Sequence, residues 1–283
     1  MKHLLTICTG VILLGGLSSC DKKDVLATTY TPGTAVTLTS SAAVAAPATV
    51  DSASAIATLN WTSPAYDRYS DNNVLYVVQF DSATKNFSNP QTLMTFTGGL
   101  TKGITAKDLN NYLLDKLGRA ATIPENLEFR ILASKANYDE QYTSNKISLM
   151  YTPYIPDMPA FAPVPVTLNP INNELYMVGD MTPGSWNNPV PTPTQKLSKN
   201  GSIYSLTLHI NGGGQYLLLP VNGSWNNKYA VQSTPLADTK SGYFGFNVGG
   251  NFNDNFPGPA RGGTYLFRYD VSKGSYYLVL VGY

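Results

Sequence analysis

The chain has 283 residues, 19 of them Lys or Arg against 18 Asp or Glu, with two cysteines. A chain this close to neutral lacks the electrostatic footprint that nucleic acid requires, and two cysteines cannot build a disulfide framework or a cysteine-based zinc site. Low charge together with 24 Gly, 19 Pro and 19 Tyr points to strands and turns rather than helices.

The chain opens with Lys2 and His3, an apolar run over residues 4–14, and then Leu17-Ser18-Ser19-Cys20. That run is too short to span a bilayer and reads as a secretory signal over residues 1–19. Its end resembles a bacterial lipobox, in which the cysteine is acylated and becomes the mature N-terminus. Each buried CH₂ of an acyl chain contributes about 0.8 kcal/mol, so Cys20 is expected to tie a soluble fold to a membrane face. Loss of residues 1–19 removes Lys2 and leaves 18 basic and 18 acidic residues. It also removes Cys8, so the exported fold has no disulfide and depends on core burial.

Residues 20–34 read as a tether. Residues 35–152 then show period-two patterning, in 57–61, in 74–80 (Val74, Tyr76, Val78, Phe80 on one face) and in 127–131. Trp61 alternates with core residues. One helix interrupts the strands: Thr105 can cap it, Leu109, Tyr112, Leu113 and Leu117 share a face, and Gly118 suits a left-handed exit. This predicts an immunoglobulin- or fibronectin-III-like sandwich. Pro153, Pro156, Pro159, Pro163, Pro165 and Pro170 mark residues 153–171 as an extended linker. Strand signals return over 174–178, 203–210, 215–219, 243–248, 263–270 and 275–281, with Gly/Asn turns at 211–214, 222–223 and 249–251. Residues 172–283 are therefore expected to form a second β-sandwich that folds alone, and the chain is all-β.

The second half repeats one short string: Gly184-Ser185-Trp186-Asn187-Asn188 and Gly223-Ser224-Trp225-Asn226-Asn227. Loops rarely hold large apolar side chains. Two such loops suit a ligand with flat apolar faces and hydroxyl edges, which is the shape of a sugar. Trp186 and Trp225 would stack, and Asn226, Lys228, Tyr229 and Arg261 would supply polar contacts. Alternatively, either Trp folds back over the sandwich as a lid.

Catalytic chemistry is sparse. His209, the one histidine after His3, falls on the polar face of a strand, and no nucleophile-elbow pattern occurs. No metal site or cofactor motif is readable. A glycosidase would need two facing carboxyl groups; Asp180 and Asp254 are the best pair in the second half, but Asp in such loops usually serves turns. The chain is expected not to be an enzyme.

Val74-Leu-Tyr-Val-Val-Gln-Phe-Asp81, the helix Ala106-Lys-Asp-Leu-Asn-Asn-Tyr-Leu-Leu114 and Glu174-Leu-Tyr-Met-Val-Gly-Asp180 occur in this order. They are followed by Pro183 to Asn187, Tyr216 to Trp225, Lys228-Tyr229 and Gly263-Thr-Tyr265. With the lipobox, this order resembles the SusE/SusF-type outer-membrane glycan-binding lipoproteins of Bacteroidota. The resemblance implies a non-catalytic, lipid-anchored protein facing the cell exterior. Such a protein holds starch-like or other polysaccharide beside a TonB-dependent importer and its lid lipoprotein, with a C-terminal module of carbohydrate-binding type. An assembly subunit of that importer, lacking a working glycan site, is the alternative.

Overall fold

The computed structural model describes residues 29–160, 171–231, 240–246 and 255–283. The signal segment, Cys20 and Asp254 lie outside the described residues, as do residues 20–28 of the tether, the 249–251 turn and the end of the strand expected over 243–248. The protein is all-β. In the N-terminal domain a three-stranded sheet (Leu38–Ser40, Ala55–Trp61, Thr101–Thr105) faces a six-stranded one. The second sheet centres on Leu75–Ser82 paired with Glu125–Ser134. The alternation seen in the sequence has its cause here. Val74, Tyr76, Val78 and Phe80 face Leu127, Phe129 and Ile131 in one buried cluster. Full burial of each such side chain contributes about 1.5–3 kcal/mol before the cost of ordering it. Trp61 is a core residue, 5% exposed, with its ring 5.3 Å from Tyr76 and 5.7 Å from Phe96.

The helix Ala106–Asn111 begins as expected, with Thr105 Oγ1 accepting from the Asp108 amide at 3.1 Å. It continues as one π-helical turn, Tyr112–Lys116, and leaves through Gly118 at φ +59°. That left-handed exit delivers residues 119–121 to the second domain.

Among the described residues of the C-terminal domain nine strands are hydrogen-bonded in one continuous sheet. Tyr176–Val178, Gln215–Leu219 and Tyr229–Val231 form one half of the sandwich. Ile203–Ile210, Gly263–Asp270 and Ser275–Gly282 form the other, and Ser241–Phe246 bridges them. Tyr216, Leu218, Tyr229 and Val231 meet Leu206, Phe267, Tyr269 and Leu278 in the shared core. The Leu217-Leu218-Leu219 run is buried throughout because its strand is covered on both faces. Leu218 points to the core, while Leu217 and Leu219 join Tyr176, Val178, Val190 and Ala230 in an outer apolar layer.

The two domains pack directly on each other. Ala120 belongs to the core of the second domain, and Leu114 and Ala121 pack with Tyr277 and Val279. The Ala121 amide donates to Leu280 O (2.8 Å), and the Ala120 amide to the Tyr283 hydroxyl (3.2 Å). The first part of the expected linker is built into this joint. Pro153 O accepts from the Thr122 amide (2.7 Å) and Pro156 O from Arg268 Nη2 (2.8 Å), and Ile155 and Met158 pack on the second domain. Residues 161–170 lie outside the described residues.

Strand register orders the ends of the molecule. Glu125 pairs with Tyr151 beside the joint, and Ser134 lies at the other end of that ten-residue strand, about 30 Å away at ~3.3 Å per residue. At that far end Glu140 holds the first described residues. Its carboxylate accepts from the Gly33 amide (2.7 Å) and the Tyr30 hydroxyl, and pairs with Lys135 (2.7 Å).

Candidate functional site: two tryptophan loops

The first loop is fixed by a buried glutamine. Gln195 Nε2 donates to Met177 O (2.7 Å) and Thr182 Oγ1 (3.0 Å), while its Oε1 accepts from the Gly184 amide (2.8 Å). A Cβ on residue 184 would stand 2.5 Å from Gln195 Oε1 and 2.6 Å from Pro191 Cδ, so only glycine fits. Trp186 is thereby laid, half-buried, against the outer apolar layer. In the second loop the Ser224 amide donates to Val221 O (3.2 Å) and the Asn226 amide to Ser224 Oγ (3.2 Å). Asn227 takes the left-handed conformation at φ +55° before the strand Tyr229–Val231.

The fold brings the two repeats together. Asn188 Oδ1 accepts from the Gly223 amide (2.7 Å), and Asn222 Oδ1 accepts from the Val190 amide (2.7 Å) while its Nδ2 donates to Val190 O (3.3 Å). Asn188, Asn222 and Gln195 were not singled out from the sequence. The duplication itself was the available signal for Asn188, because it is the last residue of the repeated string. Trp225 is 46% exposed, Asn226 is exposed and Lys228 is half-buried.

Two expected ligand contacts do not belong to this surface. Tyr229 is 0% exposed, its ring 4.1 Å from Phe246 and 5.8 Å from Phe244. It opens a strand, and period-two geometry turns it into the core. Burial raises its hydroxyl pKa well above the usual tyrosine value. Arg261 is part of the domain joint: Nη1 donates to Gly118 O (2.9 Å) and the guanidinium lies 4.5 Å from the Tyr283 ring centre. Register separates it from the loops. Gly263 pairs with Ile210 at the joint end, whereas Tyr229 pairs with Phe246 beyond the Ser275 end, about 30 Å along the strands.

Two of the described carboxylates of the second domain are in structural use. Asp180 Oδ1 accepts from the Gln215 amide at 2.5 Å. Glu174 accepts from Lys196 (2.5 Å) and from the Tyr176 hydroxyl (2.7 Å), and these bonds, Lys196 first, lower its pKa. His209 is exposed and contacts Thr264 Oγ1 at 3.2 Å. Among the described residues no group of three or more His, Cys, Asp or Glu side chains could hold a metal ion, and no helix is long and apolar enough to cross a membrane.

Residues 22–132 match the family model described as SusE outer membrane protein. The N-terminal part of the chain is SusE-type. The description of that family supports an outer-membrane location. The match ends within the N-terminal domain, so the tryptophan loops stand on their own geometry. No curated protein sequence matches it. Among solved structures it is similar to the crystal structure of SusF from Bacteroides thetaiotaomicron. Identity is 16%, with 86% of this chain and 51% of that chain covered and a TM-score of 0.31. The chain thus spans about half the length of that protein, and at this score nothing about its sites transfers.

Proposed function

We propose that this protein is a non-catalytic glycan-binding lipoprotein, anchored through acylated Cys20 and facing the cell exterior, that holds polysaccharide for a TonB-dependent importer and its lid lipoprotein. One observation carries the reading: two copies of Gly-Ser-Trp-Asn-Asn, from separate loops, are hydrogen-bonded side by side, with Trp225 46% exposed. An exposed indole flanked by amide side chains suits a sugar ring, whose C–H face stacks while its hydroxyls meet Asn226 and Lys228. The arrangement of the ends supports the same reading. The chain enters at the Glu140 end of the N-terminal domain, and the tryptophan loops lie beyond the joint at the far end of the second domain. A protein tethered at its start would thus hold these loops away from the membrane.

A second reading, an assembly subunit of the importer, is favoured by the packing of Trp186 and the loss of Tyr229 and Arg261 from the surface. Those facts leave Trp225, Asn226 and Lys228 as the polar and stacking contacts of the original set. Affinity electrophoresis against a panel of polysaccharides separates the two readings. Retardation in one gel that Trp225→Ala abolishes supports glycan capture, and free migration in all of them supports the assembly role.

A further inference from the structure

The far end of the second domain carries a groove of about 520 Å³ beside the tryptophan loops. Asn173, Glu174, Pro193, Lys196, Ser198 and Lys199 line it. Lys196 faces Tyr176 across an antiparallel bridge, and Tyr176 pairs with Leu219. Lys196 therefore stands two strand spacings, about 10 Å, from the residue where the chain leaves for Trp225. The first loop joins the two places: Asn222 holds Val190, and Pro193, a few residues on, lines the groove. The lining groups are accessible. The side chains of Lys196 and Glu174 are 40% and 37% exposed, and Asn173, Ser198 and Lys199 are exposed. Lys196 Nζ donates to Glu174 Oε1 (2.5 Å) and Lys199 Nζ to Asn173 Oδ1 (2.7 Å). Each bond uses one ammonium hydrogen, so donors remain on both lysines and on the Asn173 amide, and the Glu174 carboxylate keeps acceptor capacity.

We infer that this groove is a second subsite, taking further sugar units of a neutral oligosaccharide whose one end stacks on Trp225. The inference rests on the glycan-binding reading and names its ligand as a chain rather than a single sugar. A sugar hydroxyl both donates and accepts, and the groove offers both kinds of partner side by side. The Lys196–Glu174 pair cancels its own charge, and an acidic ligand would meet the Glu174 carboxylate, so the lining favours a neutral chain. Pro193 adds an exposed C–H face. A chain that reaches both Trp225 and the groove makes the second set of contacts as an intramolecular step, so its affinity rises with length. A ligand confined to Trp225 gains nothing from the groove.

Isothermal titration of the whole exported chain with maltoheptaose, cellohexaose and xylohexaose, each beside its disaccharide, tests this. In the series that binds, the long chain is expected to bind at least fivefold more tightly than the disaccharide. Ser198→Trp, which fills the groove, and Lys196→Met, which removes its donor, should each erase that gain and leave disaccharide binding unchanged. The Lys196–Glu174 pair is exposed and contributes little to stability, and unchanged disaccharide binding reports an intact fold. Trp225→Ala should weaken long and short ligands alike. A length gain that survives both groove substitutions, or no gain while Trp225→Ala abolishes binding, overturns the inference and leaves the glycan reading standing. No binding in any of the three series overturns the inference, and free migration in every gel overturns the glycan reading as well.

Discussion

Trp225→Ala and Trp186→Ala form a pair whose outcomes diverge because the two indoles sit differently. Trp225 is 46% exposed, and its loop is held by backbone and Asn222 hydrogen bonds that the substitution leaves in place. Surface substitutions of this kind change stability by about 0.5–1 kcal/mol, or roughly 1–4 °C in Tm for a protein of this size. If Trp225 stacks on a sugar, its removal costs about 1–2 kcal/mol of binding, roughly a five- to thirtyfold loss of affinity. Trp186 instead packs against the apolar cluster that contains Val178, Leu217 and Leu219. Burying a whole Trp is worth about 3–5 kcal/mol, so a half-buried one should cost about 1.5–3 kcal/mol and lower Tm by roughly 3–12 °C. Thermal unfolding and affinity electrophoresis on the same preparations read both quantities. A Trp225→Ala chain that melts far below the parent yet binds glycan normally would refute the assignment of that indole to the ligand surface.

Cys20→Ala should release the protein into the soluble fraction, and membrane association that survives the change would rule out the lipid anchor. Arg261→Ala should lower Tm by loosening the joint while glycan binding is unchanged, since its guanidinium holds Gly118 and Tyr283. Residues 172–283 alone should fold and keep any glycan binding but melt below the full chain, because Tyr277, Val279 and the core around Ala120 lose their cover. Alkaline titration followed by tyrosinate absorbance should be biphasic. Burial pushes Tyr277 up to about 12, and Tyr216 and Tyr269 well above the usual range, so the fold favours the neutral hydroxyls. That contribution is complete below the unfolded value of about 10 and is lost as pH rises towards the folded values, so buried tyrosines should ionise only as the protein unfolds. A single transition near pH 10 with the fold intact would contradict their burial.

The sequence by itself determined the elements whose cause is local. Alternation in 74–80 and 127–131 gave strands with one buried face, Thr105 and Gly118 bounded the helix, and Trp61 was legible as core because period two leaves it one side to face. The GSWNN duplication marked the loops that come together, since a repeated string is visible without any fold. Only the tertiary structure decided what lies next to what. Tyr229 looked like a continuation of the second loop, but it is the first residue of a strand, and a one-residue difference in where a strand begins reverses the face on which a side chain emerges. Arg261 looked like a loop cation, yet its partners, Gly118 and Tyr283, lie far from it in the sequence. The prolines of 153–158 suggested an extended, semi-rigid connector because proline blocks regular structure. Proline does not prevent a segment from packing, and here it packs into a joint whose other half comes from residues 114–122. Such contacts depend on the three-dimensional docking of two separately patterned units, and no periodicity within either unit encodes them.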